Sequence, residues 1–274
     1  MITEQEQSMS YLLENVSAQF RDALSNLYLS GRRLAPPSVR KVSPTLDQNA
    51  AYIDQSRMRM MRVVRNLEEN AALMREETLT REVYDIVGLV SEICEESTDL
   101  VAYLGVELTF FCMEAQHACA ISPEHIRQLL YHLMSNAVKN TPHGGHVRVT
   151  LRFEHPPKDI LLSVEDNGSG IPEEELPGLF DLSCRPRQMG DFTRGSGLGL
   201  TICKRVAEKH DGTLSVKSAP GKGSVFTLRM PDRPEKTILF RQPGFADKNA
   251  GIHPSLLMLS DALPWEAFLI KNQL

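Results

Sequence analysis

Apolar residues recur at three- and four-residue intervals through the first quarter of the chain. Leu12, Val16, Phe20, Leu24, Leu27 and Tyr28 form one stripe, and Ile53, Met58, Met61, Val64 and Leu67 form a second. That spacing lines side chains along one face of an α-helix. Between the stripes, Ala35-Pro36-Pro37 through Ser43-Pro44 breaks the periodicity, so residues 1–77 are predicted as two long helices joined by a loop. A single hairpin leaves much of both stripes wet, and pairing of two hairpins would bury them. A homodimer built on a four-helix bundle is the expectation.

From about residue 80 the pattern changes to alternating strands and helices. Ser122-Pro123-Glu124 reads as an N-cap with proline in the first turn. It opens a helix with the apolar set Ile126, Leu129, Leu130, Leu133, Met134, Ala137 and Val138, which Thr141-Pro142-His143-Gly144-Gly145 ends. Strands are predicted at 146–153 and 159–165, with a turn at Pro156-Pro157, and again at 213–217 and 224–230. A helix is predicted over 197–210. The irregular stretch after residue 171 is too long for an ordinary connector and is expected to be a lid. These elements make an α+β sandwich over 78–231. Residues 232–274 form an extension whose Leu256, Leu257, Leu259, Leu263, Trp265 and Phe268 are expected to pack on a partner or on the domain itself.

The 274 residues carry 30 basic and 35 acidic side chains, a formal charge of −5. That balance argues against binding nucleic acid by phosphate neutralisation. No window approaches the length of an apolar membrane span, and the N-terminus lacks a secretory pattern, so no membrane insertion and a cytoplasmic location are expected. The five cysteines are scattered without a Cys-x-x-Cys pair and read as buried free thiols. Cys112, His117 and Cys119 lie close together but lack a fourth zinc ligand.

Three segments carry chemistry. On the first predicted helix of the sandwich, His132, Asn136 and Asn140 are spaced by four and form one polar line, with Lys139 beside it. Taken alone, this could be an exposed polar face. In the strand ending at Asp166, alternation puts Ile160, Leu162, Val164 and Asp166 on one face, so a carboxylate continues a row of core residues. A buried carboxylate needs a partner, and one at the bottom of an apolar slot suits an amino group on a flat heterocycle such as adenine. Asn167-Gly168-Ser169-Gly170 follows at once, which permits a sharp turn and close approach of a ligand to the backbone. Third, Gly195-Ser196-Gly197-Leu198-Gly199 leads into a helix, where unpaired amides and the helix dipole favour an anion.

In this order and spacing the segments resemble the ATP-binding domain shared by sensor histidine kinases and gyrase B. HLMSNAVKNTPHGG is similar to the family's asparagine box, DNGSGIP to the first glycine box, GLFD to the phenylalanine motif at Phe180, and GSGLGLTICKRVAEKHDG to the second glycine box. Gly221-Lys222-Gly223-Ser224 with Phe226 and Thr227 resembles the closing turn and strand. The resemblance implies that ATP and Mg2+ are cofactors. By it Asn136 would hold the metal, Asn140 and Lys139 would lie nearby, and Asp166 would read adenine. Gly168, Gly170, Gly195, Ser196, Gly197, Leu198, Gly199 and Thr227 would complete the nucleotide site, and 172–196 would be the lid. His132 departs from the family, which carries asparagine or a glutamate base there, and is the one candidate for a catalytic role.

The hairpin resembles the family's dimerisation and phosphoacceptor domain with a larger departure. Asn15-Val16-Ser17-Ala18-Gln19-Phe20-Arg21-Asp22-Ala23-Leu24 stands where the family reads NVSHELRTPL, so Ala18 occupies the phosphoacceptor position and Gln19 replaces its acid. The first histidine of the chain is His117. The function implied is an ATP-binding member of a two-component system that does not phosphorylate its own hairpin, with a response regulator or a partner kinase as partner. Two alternatives stay open: a pseudokinase acting as a nucleotide-responsive interaction module, and an ATPase or serine kinase of the gyrase B superfamily.

Overall fold

A computed structural model describes residues 4–75, 79–154, 158–181, 197–233 and 253–272. The chain divides into two units, one of residues 1–77 with 257–274 and one of residues 78–256.

In the first unit α1 (Glu4–Leu34) and α3 (Pro44–Arg75) are the two long helices, and the Pro-Pro loop between them contains one helical turn, α2 (Pro37–Arg40). Pro37 at its first position fits a turn that has no amide partner to lose. The apolar stripe of α1 is split. Ser10, Ser17 and Leu24, seven apart, are buried, and the Ser10 hydroxyl donates to the Ala71 carbonyl of α3 at 3.0 Å. Small residues let two helices close up, and the ion pairs Arg21–Glu68 and Glu14–Arg75 bridge the same two helices. Phe20, Leu27 and Leu34, also seven apart, stay exposed, as do Leu46, Ile53 and Met60 on α3. The hairpin therefore presents heptad-spaced apolar rows that nothing in its own chain covers among the described residues.

The unit also contains α7 (Pro254–Met258) from Leu257 onward and two short 3-10 turns, Trp265–Phe268 and Ile270–Asn272. These residues lie along α3. Trp265 stacks on Tyr52 with ring centroids 4.8 Å apart, and Leu263 and Phe268 are buried.

The second unit is built on a five-stranded sheet in the order β2 (Glu107–Cys112), β4 (His146–Glu154), β5 (Asp159–Asp166), β7 (Ser224–Pro231), β6 (Thr213–Ser218). β2 and β4 run parallel and the other pairs antiparallel. β1 (Glu82–Asp85) and β3 (Ala118–Ile121) form a separate antiparallel pair. One face of the sheet is covered by α4 (Ile86–Tyr103), α5 (Pro123–Asn140) and α6 (Gly199–Lys209). Alternation along β5 and β7 sends Ile160, Leu162, Val164, Phe226, Leu228 and Met230 into that core, against Leu129, Leu130, Leu133 and Met134 of α5. Asp85 caps α4, accepting from the Val87 amide at 3.2 Å, and it also accepts from the His117 amide at 2.9 Å. The turn expected at Pro156-Pro157 lies outside the described residues.

Candidate functional site

Asp166 is the last residue of β5, and the alternation that buries Ile160, Leu162 and Val164 buries it too, at 3% exposure. Its carboxylate accepts the Gly168 amide at 2.9 Å, closing the turn that follows the strand. Burial pushes its pKa above the ordinary carboxylate range, while the Gly168 and Ser224 amides pull the other way. An acceptor held at the edge of an apolar core can recognise an N–H donor on a ligand, because water has been removed from around it.

The glycines beside Asp166 are required by the chain's own backbone. A Cβ on Gly168 would strike the Asn140 carbonyl, one on Gly170 the Ala219 carbonyl, and one on Gly223 the carbonyl of Asp166 itself. Gly170 and Gly223 also have positive φ, 68° and 74°. They let three pieces of the chain's own backbone converge: the end of α5, the turn after β5 and the β6–β7 turn. The Ser169 amide donates to the Asn140 carbonyl at 3.2 Å, and the Gly221 amide to the Ser169 carbonyl at 2.7 Å. Ser218 donates to the Gly223 carbonyl and accepts the Ile171 amide, both at 2.8 Å.

Thr227 does not join this cluster. In β7 it is the register partner of Ser163, with the two hydroxyl oxygens 3.0 Å apart, on the sheet face opposite Asp166. The β7 residue brought to Asp166 is Ser224, its register partner and buried. The alternation of Ser224, Phe226 and Leu228 about Thr227 carries this parity and is the signal that finds it in the sequence.

The polar line on α5 runs from the core to solvent. His132 is buried, Asn136 half-buried and Asn140 exposed. The Asn140 side-chain amide donates back to the Asn136 carbonyl at 2.7 Å, in the last turn of the helix. Lys139 is half-buried in the same turn. His132 lies under the first turn of α6, where a Cβ on Gly199 would sit 3.1 Å from its Nδ1. α5 and α6 thus come together at a glycine because the imidazole takes the space a side chain would need. Gly197 has φ 72°, which turns the chain into Leu198 and Gly199 at the start of α6. The 11-residue helix directs its N-terminal amides out of that turn, which favours an anion there. Gly195, Ser196 and residues 182–194 of the expected lid lie outside the described residues.

A carboxylate at a strand end, a polar helix turn and a glycine-bounded helix start thus lie in one α+β unit. Residues 121–234 match the family of histidine kinase-, DNA gyrase B- and HSP90-like ATPases. The chain is 30% identical over 230 residues to the adaptive-response sensory kinase SasA of Parasynechococcus marenigrum, covering 80% of this chain and 58% of that one. It is 31% identical over 229 residues to the sensor protein SrrB of Staphylococcus aureus, covering 81% and 38%. The chain belongs with the sensor histidine kinases. It spans less than two thirds of the length of these relatives. Among solved structures, full-length ShkA in complex with AMPPNP shares the fold at a TM-score of 0.63 and 23% identity, over 82% of this chain and 46% of that one. The catalytic domain of the histidine kinase ThkA matches at 0.50 and 22%, over 57% of this chain and all of that one.

In this histidine kinase relative the segment entering the expected lid is fastened to α6. Thr201 donates to the Phe180 carbonyl at 3.1 Å, Lys204 pairs with Asp181 at 2.9 Å, and the Phe180 ring meets Phe226 edge-on with centroids 6.4 Å apart. The other end of α6 is tied to the start of α5 by His210, whose Nδ1 lies 2.8 Å from the Val206 carbonyl and whose Nε2 accepts the Ser122 amide at 3.1 Å. Burial lowers the His210 pKa to about 4. Cys94 and Cys119 are pushed up to about 12 by burial, so both are inert free thiols. His117 pairs with Asp232 at 3.0 Å, and among the described residues no group of three or more His, Cys, Asp or Glu gathers into a metal site. Among the described residues no helix is long and apolar enough to cross a membrane.

Proposed function

We propose that this chain binds ATP with Mg2+ in its α+β unit and acts in a cytoplasmic two-component system without phosphorylating its own hairpin. The observation that carries the nucleotide reading is Asp166, a carboxylate buried at the end of a core strand face and held by two backbone amides. Its remaining acceptor capacity suits the exocyclic amine of adenine. The amides of Gly197, Leu198 and Gly199, at the start of α6, are placed for phosphate oxygens.

The residues present fit a magnesium ion. Mg2+ keeps several waters and takes one or two protein oxygens, and the half-buried Asn136 amide makes no hydrogen bond among the described residues. Asn136 would hold the ion and Lys139 in the same turn would face the phosphates. When bound, the metal neutralises phosphate charge. The relative ShkA was crystallised with AMPPNP, a nucleotide of the same class.

The absence of self-phosphorylation rests on the hairpin. Ala18 and Gln19 stand exposed on α1, where neither a methyl group nor an amide is a nucleophile or a base, and Ser17 is fully buried. Phosphoryl transfer depends on positioning a nucleophile at the γ-phosphate, so the acceptor would have to come from a partner. The exposed heptad rows support a homodimer, and the relation to SasA and SrrB supports a response regulator or a second kinase as partner. In the test, purified chain is mixed with magnesium and radiolabelled ATP, alone and with candidate regulators. Nucleotide is expected to bind without acid-labile, alkali-stable phosphate appearing on residues 4–75. Such phosphate on the unmodified chain would overturn the reading.

A further inference from the structure

The residues that follow α7 are held on the hairpin both by bonds to their backbone and by the burial of Leu259, Leu263 and Phe268. The Leu263 carbonyl accepts from Gln55 Nε2 at 2.8 Å and from Arg59 at 3.4 Å. The Phe268 carbonyl accepts from Arg40 at 2.8 Å. Arg40, its side chain only 2% exposed, also pairs with Asp47 and Asp54, each at 2.8 Å. Asp47 in turn accepts the Ile270 amide at 3.1 Å. One charge pair adds direction: Arg62 meets Asp261 at 3.1 Å. Between these bonds Trp265 stacks on Tyr52, and Leu263 and Phe268 are buried.

Two properties of this seat stand out. Its donors read main-chain carbonyl oxygens of the occupant, whose apolar side chains fill the space between those bonds. Of its three arginines, Arg40 is already paired with Asp47 and Asp54, and Arg62 is met by the occupant's Asp261, which lies near the apolar Leu263, Trp265 and Phe268. A hydrogen-bonded arginine buried this deeply would be left short of partners if the segment left with nothing in its place, because Phe268 supplies one of its acceptors. The seat is thus built to be filled.

We propose that the flank of α3 bounded by Arg40, Gln55, Arg59 and Arg62 is a docking site for an acidic amphipathic peptide segment, and that residues 257–272 are its cis occupant, which a partner carrying such a segment displaces. The proposal is independent of nucleotide binding. It concerns a different sector of α3 from the apolar row Leu46, Ile53 and Met60, so dimerisation and peptide docking do not compete for the same side chains.

The test uses the full chain and a fluorescein-labelled peptide of residues 253–272, read by anisotropy. Leu263→Ala, Trp265→Ala and Phe268→Ala together weaken the cis occupant and leave the seat untouched. The labelled peptide should bind this variant at least tenfold more tightly than the unmodified chain. Adding Arg62→Glu should remove most of that gain, and a peptide carrying Asp261→Arg should restore it. Equal binding to the unmodified and weakened chains overturns the proposal. Loss of helical circular dichroism in the weakened chain overturns it too, because the segment would then be part of the hairpin's own fold.

Discussion

Replacing Asp166 by asparagine separates recognition from folding. The side chain keeps its size, and its remaining carbonyl oxygen can still accept the Gly168 amide that now lies 2.9 Å from Oδ1. The site loses the charge that makes it a strong acceptor and gains an NH2 that faces the adenine amine donor to donor. A hydrogen bond to a charged group contributes about 1.5–3 kcal/mol, which corresponds to roughly ten- to hundredfold in affinity. ATP titrated calorimetrically should bind Asp166→Asn and Asp166→Ala weaker by that factor. Unliganded stability should move little for asparagine: a carboxyl whose folded pKa is raised opposes folding above its unfolded pKa, which the neutral amide relieves at neutral pH, while the new NH2 weakens the bond from the Ser224 amide. Unchanged ATP affinity in both variants would refute the assignment of Asp166 to the base. Reduced affinity together with a lower melting temperature for Asp166→Asn would show that the loss came from damaged folding.

Leu27→Glu with Ile53→Glu places charges on the two exposed apolar rows and should convert a dimer to a monomer in light scattering; a monomeric unmodified chain at tens of micromolar would end the bundle reading. His210, lowered to about 4 from an ordinary 6.5, is neutral in the folded state, so its contribution is complete above pH 6.5 and is lost as the pH falls towards 4. That loss amounts to about 3 kcal/mol, and His210→Gln should flatten the slope of denaturant midpoint against pH in that window; an unchanged slope would count against it. Gly223→Ala adds a Cβ against the Asp166 carbonyl at positive φ, whereas Gly221, with φ 72°, has open space around it. The first substitution should lower the melting temperature well beyond the roughly 1 kcal/mol of backbone strain expected for the second, and equal losses would show that the close approach is not what requires glycine.

How far the sequence could be read follows from how local each signal is. The Ser122-Pro123 start of α5 and the four-residue spacing of its polar line depend on neighbours a turn away, and so does the alternation that carries Asp166 into the core. Thr227 follows the same rule: its parity between Phe226 and Leu228, and not its place in a motif, sets its face, and the strand pairs it with Ser163. The turn at the glycines is legible in the sequence, but their packing is not, because the carbonyls of Asn140 and Ala219 that fill the space beside Gly168 and Gly170 come from distant parts of the chain. The α1 stripe, read as one face, divides into a buried row and an exposed row about 60° apart around the helix, because the seam with α3 covers only the row of Ser10, Ser17 and Leu24.

The seat of residues 257–272 was the least legible feature, and the cause is physical. Its apolar side chains follow no helical or strand period, and its hydrogen bonds pair side chains near residues 40–60 with carbonyls some two hundred positions later. Nothing in the sequence sets Arg40, Asp47 and Asp54 apart from other charges near a proline loop. Burying an arginine requires that its donors all be met, and two carboxylates from the hairpin leave its remaining amine facing outward. The Phe268 carbonyl meets it. The charges at the loop end of the hairpin are therefore complete only when a peptide lies along α3, which makes this flank a recognition surface and sets it apart from the apolar rows on the same helix.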